Sequence, residues 1–295
     1  MRQGATQLAQ QVQGPRRDPG TAGWLLVSPL LAWIVLFVVA PTAIMLVYSF
    51  GRRGTLGGVV LDFTLDNYAA VLDPTYLQIL VRSVFYSGLT TLICLIVGYP
   101  VAYYIARADE RWRNVLLMLV MVPFWTSFLI RTYAWVTILK NEGLLNGALL
   151  QLRVIGAPIE MLYTPAAVVL GLVYTFLPFM ILPIYASVEK LDDALVEAAF
   201  DLGAGPRVAF QRVIVPLTSP GIAAGILLVF VPALGLYAVN DILGGGRVDM
   251  IGNIIENQFK GNARNWPFGS ALGITLMLAF AAAFWFTSRR RDAES

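Results

Sequence analysis

Six long intervals of this chain contain no Asp, Glu, Lys or Arg. They lie between Asp18 and Arg52, Arg82 and Arg107, Arg113 and Arg131, Glu160 and Glu189, Arg212 and Asp241, and Arg264 and Arg289. A helix needs about 20 apolar residues to cross the hydrocarbon of a bilayer, whereas a spanning strand is an alternating segment of about 10. Five of the intervals meet the helical length directly. The third is shorter, but Thr132–Leu139 extends it, and Arg131 near one end can snorkel to the interface. The expected architecture is an all-α membrane protein with six transmembrane helices, at 24–50, 82–106, 114–139, 165–187, 218–242 and 267–288.

Composition agrees: 13% of residues are charged, against about 25% in soluble domains, and the mean hydropathy is +0.70. A net charge of +3 is too small to argue for a nucleic-acid partner. The absence of histidine excludes imidazole metal sites and a Ser-His-Asp triad. The single cysteine, Cys94, lies inside an apolar run and allows no intrachain disulfide. The polar segment 1–23 reads as a disordered tail. The run after it is too long for a signal-peptide core, which spans about 7–15 residues, and lacks a clear cleavage site. It reads as an uncleaved first membrane helix.

An even helix count puts both termini on one side. Arg107, Arg111 and Arg113 crowd the first loop on that side, and Arg289, Arg290 and Arg291 follow the last helix. Short basic loops stay in the cytoplasm, so the tails 1–23 and 289–295 are expected there. Pro165, Pro220 and Pro267 are expected in first turns, and Pro41, Pro123, Pro178, Pro183 and Pro232 inside helices, where each predicts a kink. On the outer side, 65–72 reads as a short surface helix, 140–164 and 243–265 as loops, and Gly244-Gly245-Gly246 as a flexible joint.

The longest charged interruption between two apolar spans is 188–217. Leu191, Leu195, Ala198, Ala199 and Leu202 share one helical face, while Asp192, Asp193, Glu197 and Asp201 occupy much of the rest. Gly203 or Gly205 can end this helix in the left-handed conformation. Pro206 then opens a second short helix, 206–215. The pattern alone fits either a loop helix resting on lipid headgroups or an elbow that docks a partner.

The spacing favours the elbow. Glu197-Ala198-Ala199, Gly203 after three residues, and Val213-Ile214-Val215-Pro216 after nine more resemble the signature of ABC importer membrane subunits. Val213 and Val215 depart mildly from the usual Ile and Leu. Val122-Pro123-Phe124-Trp125-Thr126-Ser127, Leu177-Pro178-Phe179-Met180 and Trp266-Pro267-Phe268-Gly269 are similar to the larger permease subunit of spermidine/putrescine importers, and the likeness runs over about 24–288. That resemblance implies a type I importer permease, non-catalytic itself, in the bacterial inner membrane. Its implied partners are a second permease subunit, a pair of cytoplasmic ATPase subunits that bind ATP and Mg, a periplasmic solute-binding protein and lipid. Glu197, Ala198, Ala199, Asp201, Gly203 and Pro216 would couple it to the ATPase. No phosphate-cradling G-x-x-x-x-G-K-[ST] loop occurs in this chain, which fits a permease driven from outside.

A polyamine path needs separated carboxylates and aromatic faces. Tyr237, Asn240 and Asp241 fall at i, i+3 and i+4 near the outer end of the fifth helix and share one face. Trp125, Tyr133, Tyr174 and Glu256 are further candidates. Each has a plainer role: Trp125 and Tyr174 as packing aromatics, Asp241 as a helix cap or a partner of Arg131, Glu256 as a solvent or binding-protein contact. Another small amine or organic ion fits the same pattern. A membrane enzyme would need an acid–base or metal constellation that is missing, and a secondary carrier would leave the elbow without a purpose.

Overall fold

The computed structural model describes residues 20–54, 58–260 and 264–292. Of the expected tail 1–23, residues 1–19 lie outside the described residues, as do 293–295; helix α1 already begins at Gly20. The chain runs α1 (Gly20–Ile34), a π-turn (Val35–Val39), α2 (Ala40–Ser49), a ribbon of β1 (Arg52–Arg53) and β2 (Val59–Val60), α3 (Asp66–Val71) and α4 (Pro74–Arg107). It continues through α5 (Glu110–Met121), a 3-10 turn (Val122–Trp125), α6 (Phe128–Leu139), α7 (Leu144–Gln151), α8 (Pro165–Glu189) and α9 (Asp193–Asp201). The remainder is α10 (Pro206–Ala209), a second π-turn (Phe210–Ile214), α11 (Val215–Gly235), α12 (Tyr237–Gly244), α13 (Ile251–Lys260) and α14 (Trp266–Asp292).

Among the described residues, five helices are long and apolar enough to cross a membrane: Val27–Ser49, Pro74–Arg107, Pro165–Glu189, Pro206–Gly235 and Trp266–Ala283. The third expected span differs from a single helix over 114–139. It is a pair, Glu110–Trp125 and Phe128–Gln151, bent by 90°. Pro123 pulls the end of α5 into the 3-10 turn, and Thr126 and Ser127 are extended, with ψ of 148° and 133°. Thr126 Oγ1 donates to Pro123 O at 2.9 Å and holds the corner.

Charge also misplaced the bounds of two spans. The second span begins at Pro74, not 82, because Asp73 Oδ1 accepts from Thr75 N at 2.8 Å and Pro74 fills the first helical position. Arg82 therefore lies within the helix. The fifth span begins at Pro206 and ends at Gly235, instead of covering 218–242. No separate second elbow helix exists: α10, the π-turn and α11 form one continuous rod, which makes Pro220 an interior residue of α11. Each π-turn ends two residues before a proline, Pro41 or Pro216. A proline ring clashes with the carbonyl four residues back, and the wider turn accommodates it.

The core sits on α8, whose Val168, Leu172, Met180, Ile184 and Val188 are at most 1% exposed. It packs between α4 and α11, while α14 packs on α2. Glycines set the closeness. A Cβ on Gly221 would stand 2.5 Å from Pro183 O, and one on Gly225 would stand 2.7 Å from Met180 Sδ. Small residues of this kind let membrane helices meet backbone to backbone. The first long helix is the opposite case: no residue of its apolar window in Val27–Ser49 is buried.

Candidate functional site

The bundle has two distinctive ends. At the Glu189 end of α8 the chain leaves into α9, which Asp192 caps by accepting from Ala194 N at 3.0 Å. Helix α9 closes in a Schellman motif: Ala204 N donates to Ala199 O at 3.0 Å and Gly203 N to Phe200 O at 2.9 Å. Gly203 takes φ +83°, so it and not Gly205 ends the helix. Pro206 then opens the rod that enters the bundle. No residue of α9 is buried, and Leu202 is 89% exposed. Glu197, Ala198, Asp201, Gly203 and Pro216 are exposed and Ala199 is half-buried.

Two ion pairs hold this elbow to the rest of the chain. Arg107 at the end of α4 pairs with Asp193 at the start of α9, and Arg113 Nη1 on α5 donates to Glu189 Oε1 at 3.1 Å. The same Glu189 oxygen accepts from Tyr185 OH at 2.5 Å. A further tie is buried: Tyr99 of α4 shares a 3.0 Å hydrogen bond with Thr218 and meets the Phe210 ring edge-on. These contacts tie the elbow to α4 and α8 as well as to α11.

At the other end of α8, helix α11 stops at Leu236 and α12 turns back across the start of α8. Gly171 is the contact point, since a Cβ there would meet Val239 and Leu243. Gly244 is buried at the end of α12, and Gly245 and Gly246 form an exposed turn after it. Gly245 and Gly246 take φ +57° and +71°, Gly245 N donates to Asp241 O at 3.0 Å, and Gly245 lies against the Tyr163 ring. The expected outer loop 243–265 contains α13, anchored where Ile251 N donates to Ser83 Oγ at 2.8 Å. The expected loop 140–164 likewise contains α7.

Helices α12 and α13 build a polar cradle. Asn240, 1% exposed, donates to Val248 O at 2.7 Å and to Asn253 Oδ1. Asn253 Nδ2 in turn donates to Asp241 Oδ1 and to Tyr237 O. Lys260 Nζ lies 5.0 Å from the centre of the Tyr237 ring, donates to its hydroxyl at 3.2 Å and pairs with Glu256 at 3.4 Å. These bonds to Tyr237 and Glu256 hold its ammonium above the ordinary lysine range. Asp241 also opens onto a cleft of about 540 Å³ that it shares with Tyr133, Tyr163 and Arg247. Carboxylates beside an aromatic face, part buried and part open, are the chemistry that receives an ammonium group.

A family model described as the binding-protein-dependent transport system inner membrane component matches residues 95–289. The chain belongs to that family. The permease is 47% identical over 268 residues to the spermidine/putrescine transport system permease protein PotB of Salmonella typhimurium (strain SL1344), covering 90% of this chain and 93% of that one. It is 46% identical over 267 residues to PotB of Escherichia coli (strain K12), covering 90% and 97%. A chain of a bacterial alginate ABC transporter, crystallised in complex with an alginate pentasaccharide-bound periplasmic protein, has the same fold, with TM-score 0.70 at 20% identity over 90% of this chain and 93% of that one. The expected all-α ABC permease is thus what the chain is: a multi-pass membrane component of a transporter, not an enzyme.

Of the expected path residues in this permease, Tyr237, Asn240, Asp241 and Glu256 come together, and Tyr133 faces Asp241 across the cleft. Trp125 and Tyr174 do not join them. Trp125 ends the 3-10 turn and is 73% exposed. Tyr174 stacks edge-on to Trp135 and already carries the Arg131 guanidinium 5.8 Å over its ring. Asp241 neither caps its helix nor pairs with Arg131; it accepts from Asn253. Asn253 and Lys260 are the members that sequence reasoning missed. Ile251, Ile254, Ile255 and Phe259 recur at helical spacing opposite Asn253, Glu256 and Lys260, and that pattern was the available signal.

Proposed function

We propose that this permease carries polyamines of the spermidine/putrescine type across the bacterial inner membrane into the cytoplasm. The outer cradle receives the cation from a periplasmic binding protein. The elbow Glu197–Pro216 seats in a cytoplasmic ATPase dimer, which binds ATP and Mg, and a second permease subunit completes the path. The six-helix unit 24–288 then carries both tails, 1–23 and 289–295, on the cytoplasmic side.

The observation that carries the cargo reading is the 46–47% identity over nine-tenths of the chain to permeases named for spermidine and putrescine. The cradle adds chemical sense, since Asp241, Glu256 and the Tyr237 face suit a flexible polycation. The coupling reading is supported by an amphipathic helix with no buried residue and by a left-handed glycine that sets its return angle. Weak binding fits this role, because a path must release what it accepts.

The test uses the whole importer in proteoliposomes with labelled putrescine. Uptake that depends on ATP and on the binding protein supports the reading, and its absence overturns it. Glu197→Lys or Gly203→Asp should abolish both uptake and co-purification of the ATPase; retention of both refutes elbow docking.

A further inference from the structure

The cradle already contains an ammonium group. Lys260 is a primary alkylammonium on a four-carbon stem, chemically close to one end of a polyamine. Its Nζ sits 5.0 Å from the Tyr237 ring centroid, donates to the phenol oxygen at 3.2 Å and lies 3.4 Å from a Glu256 oxygen. Glu256 and Lys260 are four residues apart on α13, an arrangement found on many exposed helices. Tyr237 is what sets this one apart, because it comes from α12 and offers the cation its phenol oxygen. The carboxylate is mostly covered, with 19% of its side chain exposed, while the lysine side chain is 67% exposed. The acid and ring are thus fixed parts of the wall, and the cation is the part free to leave.

We propose that Lys260 is a self-ligand: its ammonium fills the position that a primary ammonium of the cargo takes, and arriving cargo displaces it into solvent. The idea rests on the amine reading of the preceding section. Displacement keeps the charge balance at Glu256 constant, since one ammonium leaves as another enters. In the idle state Glu256 keeps a cation, so a stray inorganic cation gains little there. The exchange also sets a threshold: a ligand must outcompete a tethered amine, which favours a compound with a second ammonium to engage Asp241. Lys260 is in this sense a residue that tunes selectivity, not one that recognises cargo.

The experiment measures uptake of labelled putrescine by the complete importer in proteoliposomes against the concentration of liganded binding protein. Lys260→Met keeps the apolar stem and removes the charge. Loss of one hydrogen bond to the phenol and one exposed ion pair should lower the half-saturating concentration about fivefold. Lys260→Gln should behave like Lys260→Met, and Lys260→Arg, whose planar guanidinium replaces the primary ammonium, should fall between wild type and the Met variant. The advantage of putrescine over a monoamine of equal length should shrink in the Met variant. Co-purification of the ATPase should be unchanged in all three, which shows that the variants fold and assemble.

Two results overturn the proposal. One is a Met variant with unchanged saturation and selectivity. The other is a Met variant that loses uptake as Glu256→Gln does, which makes Lys260 a structural partner of the wall. Failure of the amine reading shows separately, as a wild-type importer that takes up no diamine, and the self-ligand falls with it.

Discussion

The two ends of α8 are finished in opposite ways. At Glu189 the chain leaves into a helix with no buried residue, held by side-chain ion pairs and a left-handed glycine. At Pro165 it is pressed under α12 by Gly171, and the Asn240, Asn253 and Asp241 side chains there are linked by hydrogen bonds, with Asn240 1% exposed. The first end is a surface that leaves the apolar Leu195, Phe200 and Leu202 exposed. The second is a pre-formed wall. Docking a protein calls for the former, whereas holding a small cation calls for groups already oriented before it arrives. Between them runs the Pro206–Gly235 rod of 30 residues, about 45 Å of helix.

The comparison breaks most completely at the rod itself. Gly221→Leu forces a side chain against Pro183 O, a backbone atom that cannot rotate away. Overpacking of about 2 kcal/mol lowers the melting temperature of the detergent-solubilised complex on the order of 5 °C and abolishes uptake, so both ends fail together. Next is Glu197→Lys. Glu197 is exposed and has no ion-pair partner among the described residues, so the fold should tolerate the change within about 0.5 kcal/mol. Uptake and ATPase capture should nevertheless fall about tenfold or more in a reconstituted assay.

Asp241→Asn attacks the other end. It removes the charge beside Asn253 while keeping the shape, and uptake should drop about tenfold with ATPase capture intact. Smallest is Arg113→Met, which opens one partly exposed clamp on the elbow. Such pairs contribute about 0.2–1 kcal/mol, so transport per ATP hydrolysed should fall about fivefold at most.

The contrast between the ends also explains what the sequence made legible. The elbow was readable because its parts lie within one continuous stretch: Glu197, Gly203 and Pro216 keep their spacing whether or not the fold is known. Half the cradle was readable for the same reason, since Tyr237, Asn240 and Asp241 sit on one turn. Asn253 and Lys260 join them only because α13 folds back over α12, and glycines and asparagines hid that short helix in what read as a loop. Charge located the apolar runs but not their ends. Arg82 lies inside α4, where Asp73 and Pro74 set the true start. Pro123 signalled a kink, yet the 90° corner also needed the extended Thr126 and Ser127.

The central claim is that cargo recognition and ATPase coupling are carried by opposite ends and are separable. The most direct measurement is a paired one on Asp241→Asn: putrescine uptake and ATPase co-purification from the same preparation of the complete importer. The account predicts uptake lowered about tenfold with undiminished ATPase capture. Equal loss of both, or no loss of uptake, would contradict it.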